Sequence, residues 1–254
     1  MAVGLFIPCY VDQFFPDVGV ATLELLERQG IEVVFPSAQT CCGQPMANTG
    51  CGGDAAPVAR HMVNVFKQFD AIVCPSGSCT AMVRHHYAEY FDADDADFRH
   101  VANNTFELCE YLHDHVGLTS VDVRFPHRVS LHQSCHGLRE LRLGPSSESM
   151  APRENKIAKI LTLVNELELV HPKRTDECCG FGGTFSVNEA AISASMGRDR
   201  IRDHVECESE VMVSADMSCL MHLQGLIRRD KTPLQVMHVA QVLMGRPIGS
   251  AVAV

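Results

Sequence analysis

The chain has 254 residues, 46% of them hydrophobic, with 31 acidic against 21 basic side chains and a formal charge of −10. That apolar content supplies a full core and excludes disorder, while the length fits one large domain or two lobes. The acidic balance argues against nucleic acid or an anionic membrane as the main partner. No stretch approaches the ~20 apolar residues of a membrane span, and the N-terminal residues carry no positive leader. The expectation is a cytoplasmic protein, where thiols stay reduced. Its twelve cysteines then read as metal ligands or redox thiols and not as disulfides.

In chain order, residues 3–8 read as a short apolar strand ending at Cys9. Residues 17–28 carry helical spacing through Val20, Leu23 and Leu26, closed by Gly30. A strand over 31–35 ends at Pro36, a glycine-rich loop covers 41–53, and a helix over 55–69, a strand over 71–74 and a helix over 79–90 follow. The second half repeats this order. A strand over 128–132 leads to Cys135, and a helix over 153–165 has apolar positions at Ile157, Ile160, Leu161 and Val164. A strand over 167–171 precedes the loop Cys178-Cys179-Gly180-Phe181-Gly182-Gly183. A helix over 186–203, a strand over 211–214, a helix over 219–228 and a last helix over 235–244 complete the chain. The alternation predicts an α/β fold of two pseudo-equivalent lobes, residues 1–122 and 123–254, with the boundary near 117–126. Each lobe is a small, mainly parallel sheet flanked by helices. The cysteines fall at the carboxyl ends of the strands, where open α/β sheets place their sites.

Those cysteines form two matching sets: Cys9, Cys41, Cys42 and Cys79, then Cys135, Cys178, Cys179 and Cys219. In each set a lone cysteine ends a strand, a Cys-Cys-Gly follows one helix and one strand later, and a last cysteine opens a helix. The spacing is too wide for a zinc finger or a ferredoxin-type run, which gather ligands locally. Adjacent thiolates diverge, so they suit two irons of one cluster better than one tetrahedral ion. Gly43 and Gly180 let the backbone turn sharply beside bulky sulfide, and amides there can donate to sulfur. Cys79 and Cys219 gain from a helix N-terminus. Zinc is the alternative occupant. Cys109 and Cys207 read as core or surface residues, and Cys51 and Cys74 as auxiliary ligands to the first set.

At these residues the chain resembles the CCG-domain family, which includes the B subunit of heterodisulfide reductase and the iron–sulfur subunits of glycolate, glycerol-3-phosphate and lactate-utilisation systems. The stretches that carry the resemblance are residues 36–45 with Cys41-Cys42-Gly43-Gln44-Pro45, Pro75-Ser76-Gly77-Ser78-Cys79, residues 132–136 around Cys135, residues 178–186, and Ala215-Asp216 leading to Cys219. The resemblance implies iron–sulfur clusters between or beside two lobes. Its lactate-utilisation members imply a three-protein assembly that oxidises L-lactate to pyruvate, with a ferredoxin-type iron–sulfur protein and a third small subunit as partners. The fuller family motif ends each half in Cys-x-x-Cys. Here Ser76 and Asp216 replace the first cysteine of that pair. Four motif cysteines per half suit a 4Fe-4S cluster, one per half, with a noncubane form as the alternative. Asp216 could donate oxygen to iron, and Ser76 also; hydrogen bonding or helix capping is the other role for both.

His85, His86, His132, His136 and His222 flank the motif cysteines, and each could replace a ligand, relay protons or simply pack. Arg84, Arg139 and Arg153 could bind a carboxylate. For a small acid substrate, His136 and Arg84 are the first choices as catalytic or binding residues. No G-x-G-x-x-G follows the first strand, and no Gly-Lys-Ser/Thr follows Gly183, so neither a dinucleotide nor a phosphate loop is present. With no flavin site and no local ferredoxin run, the chain reads as one subunit of an oxidoreductase.

Overall fold

The computed structural model describes residues 2–148 and 153–249. The first sheet has four parallel strands in the order β2-β1-β3-β4: β1 (Val3–Leu5), β2 (Val33–Val34), β3 (Ala71–Cys74) and β4 (Thr105–Glu107). The second has the same order, β6-β5-β7-β8, from β5 (Arg128–Leu131), β6 (Glu168–Val170), β7 (Val211–Ser214) and β8 (Gln235–His238). The chain is α/β with two matching parallel sheets, as the alternation of elements predicts. Val3 pairs with both Val33 and Ala71, and Val129 pairs with Val211, so the registers also correspond.

Helices α1 (Cys9–Phe14) and α2 (Pro16–Arg28) follow β1, and α3 (Gln44–Asn48) and α4 (Gly52–Phe66) follow β2. After β3 comes α5 (Gly77–Ala81), which runs on through a wider π-type turn at Met82–His86 and a tight turn at Tyr87–Glu89. Then come α6 (Ala96–Asn103) and, after β4, α7 (Leu108–Tyr111), which widens into Leu112–Val116. The second half has a π-type turn at His136–Glu140, α8 (Lys156–Leu161), α9 (Phe185–Asn188), α10 (Ala190–Glu206), α11 (Met217–Asp230) and α12 (Val239–Leu243).

Three expectations need correction. Residues 235–244 are not one helix. Residues 235–238 pair with β7 as an edge strand, and only Val239–Leu243 is helical, started by a capping box between His238 and Gln241. The apolar spacing suited both states, and the free edge of β7 decided it. The span 186–203 breaks at Glu189 into α9 and α10. The first half also holds α6, β4 and α7, three short elements whose apolar runs are too brief to stand out.

The interior is held by burial. Ile72, Val73, Val129, Val211, Met212 and Val213 are fully buried at the sheet centres. One continuous cluster runs from Val3, Leu25 and Leu112 of the first lobe to Ile160, Leu223 and Val239 of the second. A smaller one, with Phe6, Met62, Phe66 and Tyr87, lies on the other side of the first sheet. Helix α12 packs on α2 and α7 on α8. Gln241 donates to Asp17 Oδ2 at 2.9 Å, and Arg246 donates to Glu24 Oε2 at 2.9 Å. The ends of the two sheets are thereby clasped around a shared cleft.

Candidate metal centre

Cys9 is the first residue of α1, placed by the turn Phe6–Pro8 at the carboxyl end of β1. The loop carrying Cys41 and Cys42 is braced against β1 by Gln39, which accepts from Ile7 N at 2.7 Å and donates to Leu5 O at 3.0 Å. Cys79 lies in the first turn of α5, where its N–H donates to Ser76 Oγ at 3.3 Å. These positions bring the first set together: Cys9 and Cys41 sulfurs are 3.6 Å apart, and Cys42 and Cys79 sulfurs 3.4 Å. Tyr87, fully buried, donates to Cys42 O at 2.9 Å and so fixes the pair from behind.

The second set is built alike. Cys135 begins the helical turn after β5, Cys178 and Cys179 follow β6, and Cys219 lies in the first turn of α11. Backbone amides point at sulfur in both lobes: Gly43 N at Cys41 (3.4 Å), Gly180 N at Cys178 (3.3 Å) and Phe181 N at Cys179 (3.5 Å). Gly43 and Gly180 have φ of +83° and +86°, the left-handed turn that aims these amides inward. Hydrogen bonds from Cys42 and Cys9, then from the Gly43 amide, hold the Cys41 thiol down at about 3. Those from Cys135 and Cys179, then from Gly180, hold Cys178 at about 2. Their neighbours Cys9 and Cys135 are pushed up, first by those same hydrogen bonds and then by burial. Each lobe thus gathers four soft donors with one already favoured as thiolate, which is the electrostatic setting of a metal or iron–sulfur centre.

The eight motif cysteines border one cleft between the lobes, and Cys51, Cys74, Cys109 and Cys207 do not. Tyr10 and Phe181 meet edge to face across it, with ring centroids 5.8 Å apart. Cys51 is exposed, Cys74 and Cys109 are buried in the core, and Cys207 donates to His204 O. Ser76 and Asp216 both reach the cleft, but their side chains cap helices. Asp216 accepts from Ser218 N at 3.2 Å and, across the lobes, from Ser78 N at 2.7 Å.

His136 borders the cleft. Its Nδ1 bonds Glu140, whose other oxygen is 2.7 Å from His86 Nε2, and Gln44 of the first lobe lies 3.4 Å from its Nε2. Burial opposes charge on His136, but the hydrogen bond and charge of Glu140 outweigh it and raise its pKa. Glu140 is itself held at about 2, chiefly by His136. Sequence reasoning missed Glu140, for which the four-residue spacing from His136 was the available signal; Tyr87, Gln39 and Gln44 left no such mark. Arg84 is away from the cleft, paired with Glu110 at 2.7 Å. Arg139 and Arg153 flank a separate surface cavity with Arg142, and His85 and His222 do not border the cleft. His132 is fully buried beside Cys179 and Cys219.

A sequence model of the CCG cysteine-rich domain matches residues 3–84 and 129–224, one copy on each lobe. The chain belongs to this family. It is 39% identical over 247 residues to Lactate utilization protein A 2 of Bacillus cereus (strain AH820), spanning 96% of this chain and 98% of that protein. It is also 39% identical to Lactate utilization protein A of Geobacillus sp. (strain WCH70), spanning 97% of this chain and all of that protein. Among solved structures, a hypothetical protein from Helicobacter pylori shares the fold, with a TM-score of 0.56 and 8% identity over 96% of this chain and 48% of that one. Among the described residues no helix is long and apolar enough to cross a membrane.

Proposed function

We propose that the chain is a cytoplasmic iron–sulfur subunit of an assembly that oxidises L-lactate to pyruvate. The observation that carries this reading is the convergence of two four-cysteine sets on one cleft; the substrate comes from the relatives' names. Cys9, Cys41, Cys42 and Cys79 hold one 4Fe-4S cluster, and Cys135, Cys178, Cys179 and Cys219 the other. When bound, such clusters store and pass single electrons at a potential set by nearby charge and hydrogen bonds.

The chain's own residues shape that setting. The amides of Gly43, Gly180 and Phe181 donate to cysteine sulfur, which lowers the cost of added negative charge. Tyr10 and Phe181 narrow the opening against water. His136, held by Glu140, keeps a proton at the cleft and offers a positive partner to a small carboxylate. A ferredoxin-type iron–sulfur protein and a third small subunit complete the assembly, because two electrons taken from one hydroxy acid need a path onward. A thiol–disulfide enzyme of the heterodisulfide reductase kind is disfavoured: Ser76 and Asp216, where the fuller motif has cysteine, are committed to helix caps.

Protein purified without oxygen is expected to contain about four irons and four sulfides per lobe, with thiolate-to-iron absorption. Changing Cys41 and Cys178 to serine, singly, should remove one cluster each and stop lactate-dependent electron transfer in the reconstituted assembly. Zinc without sulfide, or full electron transfer by iron-free protein, would refute the proposal.

A further inference from the structure

The matching registers give each residue of one lobe a counterpart in the other. Phe6 N donates to Val73 O at 2.9 Å, and His132 N donates to Val213 O at 2.7 Å. Each residue directly follows the first strand of its lobe and precedes the lone cysteine by three positions, Cys9 or Cys135. Both side chains are fully buried. One lobe therefore has a phenyl ring, which can bind nothing, where the other has an imidazole.

Neither ring nitrogen of His132 has a hydrogen-bond partner among the described residues. A ring nitrogen of His132 and the sulfurs of Cys179 and Cys219 lie within 4.8 Å of one another. The nearest polar ring cannot serve it. His204 lies 6.2 Å away, but Ser130 occupies its Nδ1 at 2.6 Å and Arg200 its Nε2 at 3.0 Å. Buried polar atoms in folded proteins are nearly always paired, and here the unpaired nitrogens stand against two thiols of the second set.

We propose that His132 is a metal ligand of the second site, adding a nitrogen to four thiolates and making the two sites chemically unequal. The proposal rests on reading the cysteine sets as cluster sites. It assigns distinct roles to the lobes. An extra nitrogen donor on one site alone leaves the two clusters with different reduction potentials, since ligand identity is one of the levers on that potential.

The test uses the full chain, purified without oxygen, analysed for iron and sulfide, then reduced and studied by pulsed electron paramagnetic resonance with and without 15N-labelled histidine. A directly bonded nitrogen coupling that changes with the label is expected in the unmodified protein. It should vanish in His132→Phe, the side chain the other lobe already accommodates, with the second potential shifted and the first unchanged. His132→Cys should keep the iron content, lose the nitrogen coupling and also shift that potential. A cluster present with no bonded nitrogen, or a coupling that survives His132→Phe, overturns this assignment alone. Absence of iron and sulfide in the unmodified protein overturns the cluster reading and this one together.

Discussion

Replacing the glycine of each Cys-Cys-Gly by alanine separates backbone strain from close packing. Gly43 and Gly180 share a left-handed conformation, with φ of +83° and +86°, so a Cβ costs each about 1–2 kcal/mol. Their surroundings differ. A Cβ on Gly43 would meet nothing nearer than 3.6 Å, whereas one on Gly180 would lie 2.7 Å from Ser193 O and 2.8 Å from Met196 Cβ. The first of those is backbone of α10 and cannot rotate away. Overpacking of this kind adds about 1–3 kcal/mol. Gly180→Ala should therefore lose about 2–5 kcal/mol and Gly43→Ala about 1–2 kcal/mol, read from urea unfolding of the metal-free proteins. Because Ser193 Oγ also donates to Gly180 O at 2.7 Å, the shift displaces the Cys178–Cys179 pair, and iron loading of the second site should fall well below that of the first. Equal losses at the two glycines would refute the reasoning.

Other expectations follow from buried polar groups. Burial raises the Glu107 carboxyl to about 8 against hydrogen bonds from the amides of Cys109 and Glu110. The folded state thus binds this proton more tightly than the unfolded chain, so its contribution falls as pH rises from the ordinary carboxyl range to 8, by about 5 kcal/mol in all. Glu107→Gln should flatten that decline in unfolding curves between pH 5 and 8.5; parallel curves for variant and parent would exclude the assignment. Tyr87→Phe strips the hydrogen bond from Cys42 O and should cost about 1–2 kcal/mol with earlier cluster loss from the first site, seen as bleaching on heating. Asp203 pairs with buried Arg200 and accepts from the amides of Lys173 and Arg174 ahead of Cys178. Asp203→Asn should cost about 3–5 kcal/mol and increase amide exchange at residues 173–178, an increase whose absence would count against this anchoring.

The elements that were legible beforehand share a physical character. Strands such as β3 and β7 are parallel strands buried along all or nearly all of their length, read as short unbroken apolar runs. The doubled Cys-Cys-Gly revealed the repeat because chemistry-bearing residues recurred in order, although bulk similarity between halves is slight. What stayed hidden depended on separation along the chain. Residue 235 could start a helix or an edge strand, and only β7 settles it. His132 stood among five histidines near the motifs, and its distinction came only when Phe6 was seen at the same place in the other sheet. Capping was a foreseeable role for Asp216, but its acceptance of a hydrogen bond from a residue 138 positions away is set by how the lobes meet.

That meeting point explains why the lobes cannot be identical there. Ser76 and Asp216 occupy equivalent positions after β3 and β7, and they face each other as an antiparallel bridge between the lobes. Both are almost wholly buried. Asp216 spans the junction, with Oδ1 accepting from Ser218 and Oδ2 from Ser78. Two aspartates would set carboxylate against carboxylate, whereas two serines would leave the Ser78 amide without its partner. One of each satisfies both helix starts. Ser76→Asp alone should lose about 3 kcal/mol, since it buries two like charges facing each other. Asp216→Ser alone should lose about 1–2 kcal/mol for the missing cap. The exchange Ser76→Asp with Asp216→Ser moves the single carboxylate to the other side of the junction and should restore about 2 kcal/mol relative to the sum of the two losses. Unfolding of all four proteins at pH 7.5 measures that coupling, and strictly additive losses would show that the two positions do not share one electrostatic site.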